Sequence, residues 1–358
     1  MKIYENVYVV DFHSLYPSII RQLNLSPEFN YPTNITNNLE DNLVIDKKYL
    51  KNDEEGILPR YIGELMNLRE QYKAQDKEAE QLAVKIIQNS VYGILSQRTA
   101  KFVLGDTAIA ATITWFGRNI LKNLIKRLPE YDLKCIYAKT DSAFITNINN
   151  EKTGEEICNI AQKLTDEIVK DLCGFDNKYI LFDLEDELLM DIIVNKNNYV
   201  KVYPDKHYKL KGASFFNTTY SQFQSDLTNY LLNYIIETKI VFLEDIKTIA
   251  FKYLNEKIKT ENLEYFSIKH KLREQQINRF DNLEYVKENN LSIDYGFYYN
   301  AIIVNRSKYQ DNVILYPINH NIDNKYQVNR RWVEGQVNKI LGKLQLEDRC
   351  KQISLDYF

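Results

Sequence analysis

The sequence predicts an α+β fold, and three observations predict it. Residues 133–148 place apolar stretches on both sides of a short polar Lys-Thr-Asp run, which reads as a strand, a tight turn and a returning strand. Long helical periodicities begin after Pro59 and recur over 76–95, 106–128 and 153–173. Gly (11) and Pro (7) are scarce for 358 residues, which disfavours barrels and sandwiches with many tight turns. At roughly 100–200 residues per domain, the length suggests two or three domains or one large multi-lobed one.

Taken in order, residues 3–12 are β-rich and end at Asp11, so a carboxylate is expected at the C-terminal end of a strand. A helix should follow, because Pro17 suits a first turn whose donors have no partner. The Asn- and Asp-rich stretch 30–56 reads as loop with one short strand. Leu65, Met66, Leu68 and Tyr72 mark the first long helix, and the charged run before the second is a turn or helix start. Ala108, Ala111, Ile113, Phe116 and Ile120 supply the apolar positions of the third. Residues 179–203 are strand-rich, and helices dominate 220–257, with shorter pieces to 286. Aromatic strands are expected at 295–305 and 313–316, with a last helix near 331–346. No Gly/Ser linker separates these parts, so the lobes should pack without a flexible tether.

Composition narrows the function classes. A chain 44% hydrophobic and 27% charged is ordinary globular protein, not a disordered one. Lys+Arg (46) against Asp+Glu (49) gives a net charge of -3, which argues against a binder relying on bulk positive charge. Cys135, Cys158, Cys173 and Cys350 form no Cys-x-x-Cys pair, so a zinc ribbon is not expected and reduced thiols are. No apolar run approaches 18 residues and no signal pattern opens the chain; a soluble, cytoplasmic protein without membrane contact is expected.

Three sets of residues could carry chemistry. Asp11 and Asp141 each stand at a strand end or turn between apolar segments. Two carboxylates converging on a sheet rim could hold two Mg²⁺ ions for an in-line phosphoryl displacement; the plain alternative is a capping or turn aspartate. Arg69 and Lys73 share a helix face, and Lys85 and Asn89 repeat that spacing on the next helix. Such cations could clamp a triphosphate, Arg as a fork and Lys as a point charge, or simply form solvated faces. Lys196, Lys201, Lys206, Lys209 and Lys211 face a single local acid, Asp205, and interleave with Tyr199, Tyr203 and Tyr208. That suits a nucleic-acid backbone track or a solvated hairpin.

Together these residues resemble family B DNA polymerases. Asp11-Phe-His-Ser-Leu-Tyr-Pro-Ser-Ile-Ile20 is similar to the first palm motif, DxxSLYPSII. Lys85-Ile-Ile-Gln-Asn-Ser-Val-Tyr-Gly93 is similar to the fingers motif, KxxxNSxYG, and Tyr137-Ala-Lys-Thr-Asp-Ser142 resembles the third motif, YxDTDS, except at one position. The run from Ser14 to Glu28 most resembles tailed-phage replicative polymerases. The resemblance implies a right-hand architecture: an antiparallel-sheet palm (1–56 and 106–215), two-helix fingers (57–105) and a mostly helical thumb (216–358) with a C-terminal tail.

It also implies roles. Asp11 and Asp141 would be catalytic metal carboxylates, with the backbone carbonyl of Phe12 on the second ion; two Mg²⁺ are implied, with Mn²⁺ able to substitute. Ser14, Leu15, Tyr16, Arg69, Lys73, Lys85 and Asn89 would hold the incoming dNTP, Tyr16 as the steric gate under the sugar. Tyr92 and Gly93 would lie near the nascent pair, and Asp183 and Glu185 would be auxiliary palm carboxylates beside Lys139 and Thr140. Lys196 to Tyr199 sits where the family has its primer-contacting KKRY, and Lys211-Gly212 resembles the KG before the thumb.

Three departures bear on function. Lys139 stands where the family has the first Asp of DTDS, putting a cation two residues from Asp141. Primer-independent members show a similar Lys, so primer independence is one alternative; a catalytically weak primer-template-binding subunit is another. The Asn pair at 197–198 loses the cations of KKRY, so primer grip should be weaker or supplied by neighbours such as Lys201. The first motif begins at residue 11, ahead of which family members carry an N-terminal domain and a 3′–5′ exonuclease. The expectation is therefore a core without its own proofreading, as part of a split viral polymerase working in host cytoplasm beside a separate exonuclease chain. Leu355, Tyr357 and Phe358, in the aliphatic–acidic–aromatic tail, resemble the peptide with which phage polymerases bind a sliding clamp.

Overall fold

The computed structural model describes residues 1–31, 44–50, 54–97, 105–147, 149, 151–213, 219–273, 283–294, 296–305, 312–322 and 325–348. The tail residues Leu355, Tyr357 and Phe358 lie outside the described residues. The chain divides into two compact units, residues 4–189 and residues 1–3 with 190–358.

The first unit opens with strand β1 (Lys2–Phe12) and helix α1 (Leu15–Gln22). Helices α2 (Ile57–Ala74), α3 (Glu78–Leu95) and α4 (Thr107–Arg127) follow. Then come the hairpin β2 (Leu133–Lys139) and β3 (Ser142–Asn147), helix α5 (Gly154–Cys173) and strand β4 (Phe182–Asn195), which runs on past the boundary. The strand order is β2-β3-β1-β4, with β1 antiparallel to β3 and β3 antiparallel to β2. The core lies between this sheet and the helices and includes Val10, Phe12, Ile19, Ile109, Ile113, Phe116, Ile145, Leu164 and Phe182.

Local chemistry sets these elements. Asp106 caps α4 by accepting from the amides of Ala108 and Ile109, and Thr153 with Glu156 forms a capping box on α5. Gly117 of α4 is what lets α1 approach closely. A Cβ there would already stand 3.3 Å from Leu15 and Ile19.

In the second unit, β4 continues into β5 (Asn198–Val202) and β6 (Tyr208–Lys211), all antiparallel. Helices α6 (Gln222–Thr238), α7 (Leu243–Thr260) and α8 (Leu263–Phe266) precede strand β7 (Ile268–Lys271). Helix α9 (Leu283–Glu288), strands β8 (Tyr298–Asn305), β9 (Val313–Tyr316) and β10 (Gln327–Val328), and helix α10 (Arg330–Leu344) complete it. Strand β8 pairs antiparallel with β7, β9 and β10. The helical stretch expected at 220–257 holds two helices, the first ended where Lys239 adopts φ 59. No helix among the described residues is long and apolar enough to cross a membrane.

Candidate active site

Two turns bring the carboxylates together. Ser142 of β3 pairs with Asp11 of β1 on one side and with Lys139 of β2 on the other, so the three residues form one row across the sheet. Asp141 lies one residue beyond that row. The Phe12 amide donates to the Asp141 carbonyl at 2.8 Å, and the Asp141 amide donates back to the Lys139 carbonyl at 2.6 Å. Thr140 bridges them at φ 52, a conformation rare for a β-branched residue. Such strain persists where surrounding pairing imposes it, and it clusters at functional sites.

Ser14 repeats this on the neighbouring turn, with φ 55 at the N-terminus of α1. Its hydroxyl does not cap the helix; it accepts from Arg69 Nη1 at 3.0 Å. The chain just before it is fixed by the His13 amide, which donates to the Leu181 carbonyl at 2.9 Å, and by Phe12, whose ring stacks on Phe182 at 3.9 Å.

A cavity of about 350 Å³ opens over these turns. Asp11, Phe12, Thr140, Asp141 and Asp183 line one side, with Ser14, Leu15 and Tyr16 at the start of α1. Arg69 of α2 and Lys85, Asn89 and Tyr92 of α3 line the other. Tyr16 and Tyr92 place their rings 4.7 Å apart. Lys73, one turn beyond Arg69, is exposed and does not line the cavity; nor do Lys139, Glu185 or the exposed Gly93.

The electrostatics are mixed. Crowding by protein pushes the Asp141 carboxyl above its ordinary range; Glu185 adds to this, while Lys85 and Lys139 pull the other way. Burial, with Tyr92 and Asp141 nearby, likewise raises the Tyr16 phenol, which stays neutral. Arg69 keeps a buried Nε with no hydrogen-bond partner. A buried unpaired guanidinium donor is costly unless an anion meets it.

The donor set fits divalent ions of one kind. Asp11 and Asp141 supply hard oxygens. Among the described residues no cluster of three or more His, Cys, Asp or Glu forms a cage. Mg²⁺ characteristically takes one or two carboxylates and completes its shell with water and substrate phosphates. The pair therefore suits ions shared with a phosphorylated substrate.

The DNA polymerase family B model matches residues 2–261. The chain belongs to that family. DNA polymerase 1 of Sulfolobus acidocaldarius is 31% identical over 225 residues, covering 59% of this chain and 24% of that protein. The DNA polymerase of Paramecium bursaria Chlorella virus NY2A is 29% identical, over 68% of this chain and 30% of its own length. The mouse DNA polymerase alpha catalytic subunit is 26% identical, over 67% of this chain and 18% of its own. The chain thus spans roughly a fifth to a third of these relatives' lengths. The family B DNA polymerase structure from Pyrobaculum calidifontis superposes with a TM-score of 0.66 at 20% identity, covering 96% of this chain and 45% of that one. The family's right-hand fold, with its antiparallel sheets and flanking helices, is the fold of this chain.

In the second unit the basic segment divides. Lys196, Lys209 and Lys211 are exposed, and Tyr199 pairs across the strands with Lys211. Gly212 has φ 112 and sits so close to Asn197 that a Cβ would run into its carbonyl oxygen. Lys201 corrects the sequence expectation. It is 2% exposed and pairs across the sheet with Asp191, itself fully buried. A lysine buried in the sheet, in register with a buried aspartate whose oxygens make no hydrogen bond, is not presented at the surface as the sequence suggests.

Sequence reasoning missed His13, Glu70 and Asp191. His13 lies between two carboxylates, Asp183 and Glu70, and nothing local in the sequence marks it. Asp191 carries a signal: a turn centred on residue 196 pairs Ile193 with Tyr199, and by the same count Asp191 with Lys201.

Proposed function

We propose that the chain adds deoxynucleotides to a primer 3′ end under direction of a template. One observation carries this: Asp11 and Asp141 share a rim of the sheet, facing Arg69, Lys85 and Asn89 across one small cavity. Asp11, Asp141 and the Phe12 carbonyl would hold two Mg²⁺ ions, for which Mn²⁺ could substitute. When bound, such ions supply Lewis-acid stabilisation of the attacking and leaving oxygens. Arg69 turns from the Ser14 hydroxyl to the triphosphate, and its unpaired Nε gains a partner. Lys85 neutralises phosphate charge, and Asn89 supports the nucleotide beside Tyr16. The Tyr16–Tyr92 pair forms the floor and wall for the sugar and nascent base pair. Asp183, Glu185 and Thr140 frame the carboxylates. Primer-template DNA would run past Tyr92 and Gly93; in the second unit, Lys196, Tyr199, Lys211 and Gly212 would meet nucleic-acid backbone.

Arg69→Ala is expected to raise KM for dNTP by about tenfold or more, as loss of a charge-assisted fork would. Steady-state extension kinetics would show it, and an unchanged KM would remove Arg69 from triphosphate binding. Tyr16→Ala should admit ribonucleotides, measured as the ratio of dNTP to rNTP incorporation; an unchanged ratio would contradict the gate.

A second reading follows from Lys139. It is exposed in the row with Ser142 and Asp11, where it could meet the triphosphate of a first nucleotide in place of a primer phosphate. Purified chain given primed and unprimed single-stranded template separates the readings. Extension of the primed strand alone supports the first; products on both support the second; no product on either refutes both.

A further inference from the structure

The outer half of α2 has a thin apolar anchor: half-buried Met66 packs on the core, and the helix lies against α3. Its buried residues are Pro59, Ile62, Gly63 and Leu65, all in its first half. Arg69, Glu70 and Lys73 lie beyond them, where the helix buries less of itself in the core. Polar bridges to the turn at His13 and Ser14 add to that packing. Arg69 Nη1 donates to Ser14 Oγ at 3.0 Å, and the adjacent Glu70 meets His13 Nε2 at 3.5 Å. Adjacent residues of the helix thus grip adjacent residues of the turn.

His13 is fixed to make this contact. Its amide donates to the Leu181 carbonyl at 2.9 Å, and its own carbonyl accepts from Ser18 Oγ at 2.9 Å. Its Nδ1 lies 3.0 Å from Asp183 Oδ2 on β4. The imidazole therefore ties α2 to β4 through one carboxylate on each.

We propose that His13 is a positioning residue that clasps the outer half of α2 over the cavity through Glu70 and so sets Arg69 at the triphosphate position. The clasp rests on the polymerase reading for its consequence, but its structural effect does not. His13→Ala frees Glu70; the helix keeps its inner core and Arg69 spends less time over the cavity. The effect is modest, because Glu70 and Asp183 are largely exposed and such pairs couple weakly.

Amide hydrogen exchange over residues 66–74 of the chain without ligands tests the structural claim. Exchange should quicken about threefold to fivefold in His13→Ala and in Glu70→Ala, and no further in the double variant. The functional claim is read from dNTP affinity for the complex with a dideoxy-terminated primer-template and from extension kinetics. Affinity and KM should weaken by the same about threefold to fivefold while kcat stays within about twofold. His13→Gln, whose two amide donors sit on a single nitrogen and cannot span both carboxylates as the two ring nitrogens do, should fall between. Unchanged exchange, singles that multiply in the double variant, or a fall in kcat with constant KM would each overturn the clasp. Failure of the wild-type chain to extend any primer, with exchange responding as described, would instead sink the polymerase reading and leave the clasp as a structural device.

Discussion

Asp11→Asn and Asp141→Asn are each expected to cut the rate of nucleotide addition by about a thousandfold or more, with circular dichroism and thermal transition close to wild type. Asp11 is half-buried near the end of β1 and Asp141 is exposed in the β2–β3 turn, and neither belongs to the core. The amide keeps the shape and removes the charge. Its loss is felt where ions and phosphate must be brought together, because each site offers few carboxylates to begin with. Single-turnover extension at saturating dNTP reads the effect directly. Activity within tenfold of wild type in either variant would place the metal elsewhere.

The second large effect is on stability. Lys201→Met removes the charge that pulls the Asp191 carboxyl down and is expected to cost about 1 kcal/mol at pH 8, where the carboxyl can take up a proton instead. Desolvation already holds the Asp191 carboxyl at about 7 against 3.8, with Lys201 pulling it down, so removing the lysine raises it further. A carboxyl raised in the folded state binds its proton more tightly there than in the unfolded chain. Its contribution is fully present at low pH and is lost as pH rises through the folded value. The Lys201→Met defect should therefore shrink as pH is lowered from 8 to 5. Asp191→Leu with Lys201→Met removes both charges and should equal or exceed wild type, by up to about 4 kcal/mol at pH 8. Urea unfolding of the three proteins at both pH values decides it. A Lys201→Met cost that does not change with pH would contradict a buried carboxyl.

What the sequence revealed followed from local physics. The β2–β3 hairpin was legible because apolar residues flank a polar turn, and α4 and α5 because their apolar positions recur at helical spacing. Asp11 and Asp141 could be named as strand-end acids, but their convergence depends on β3 lying between β1 and β2, a long-range pairing that no local pattern encodes. Lys201 misled for a related reason. A lysine among lysines reads as solvated until the strand opposite is known, and there Asp191 takes it inside. His13 was invisible because its partners, Glu70 and Asp183, come from elements far along the chain. The position of the break at Lys239 within 220–257 was also hidden, since a left-handed lysine carries no sequence mark as glycine would.

The central claim is that this chain, by itself, joins a nucleotide chosen by the template to a primer end. Single-nucleotide extension of a primed template by the purified chain, with each dNTP offered separately in Mg²⁺ and in Mn²⁺, tests it most directly. Addition of the complementary nucleotide alone is expected, abolished by Asp141→Asn. No addition with either ion, or equal addition by the Asp141→Asn variant, would contradict it.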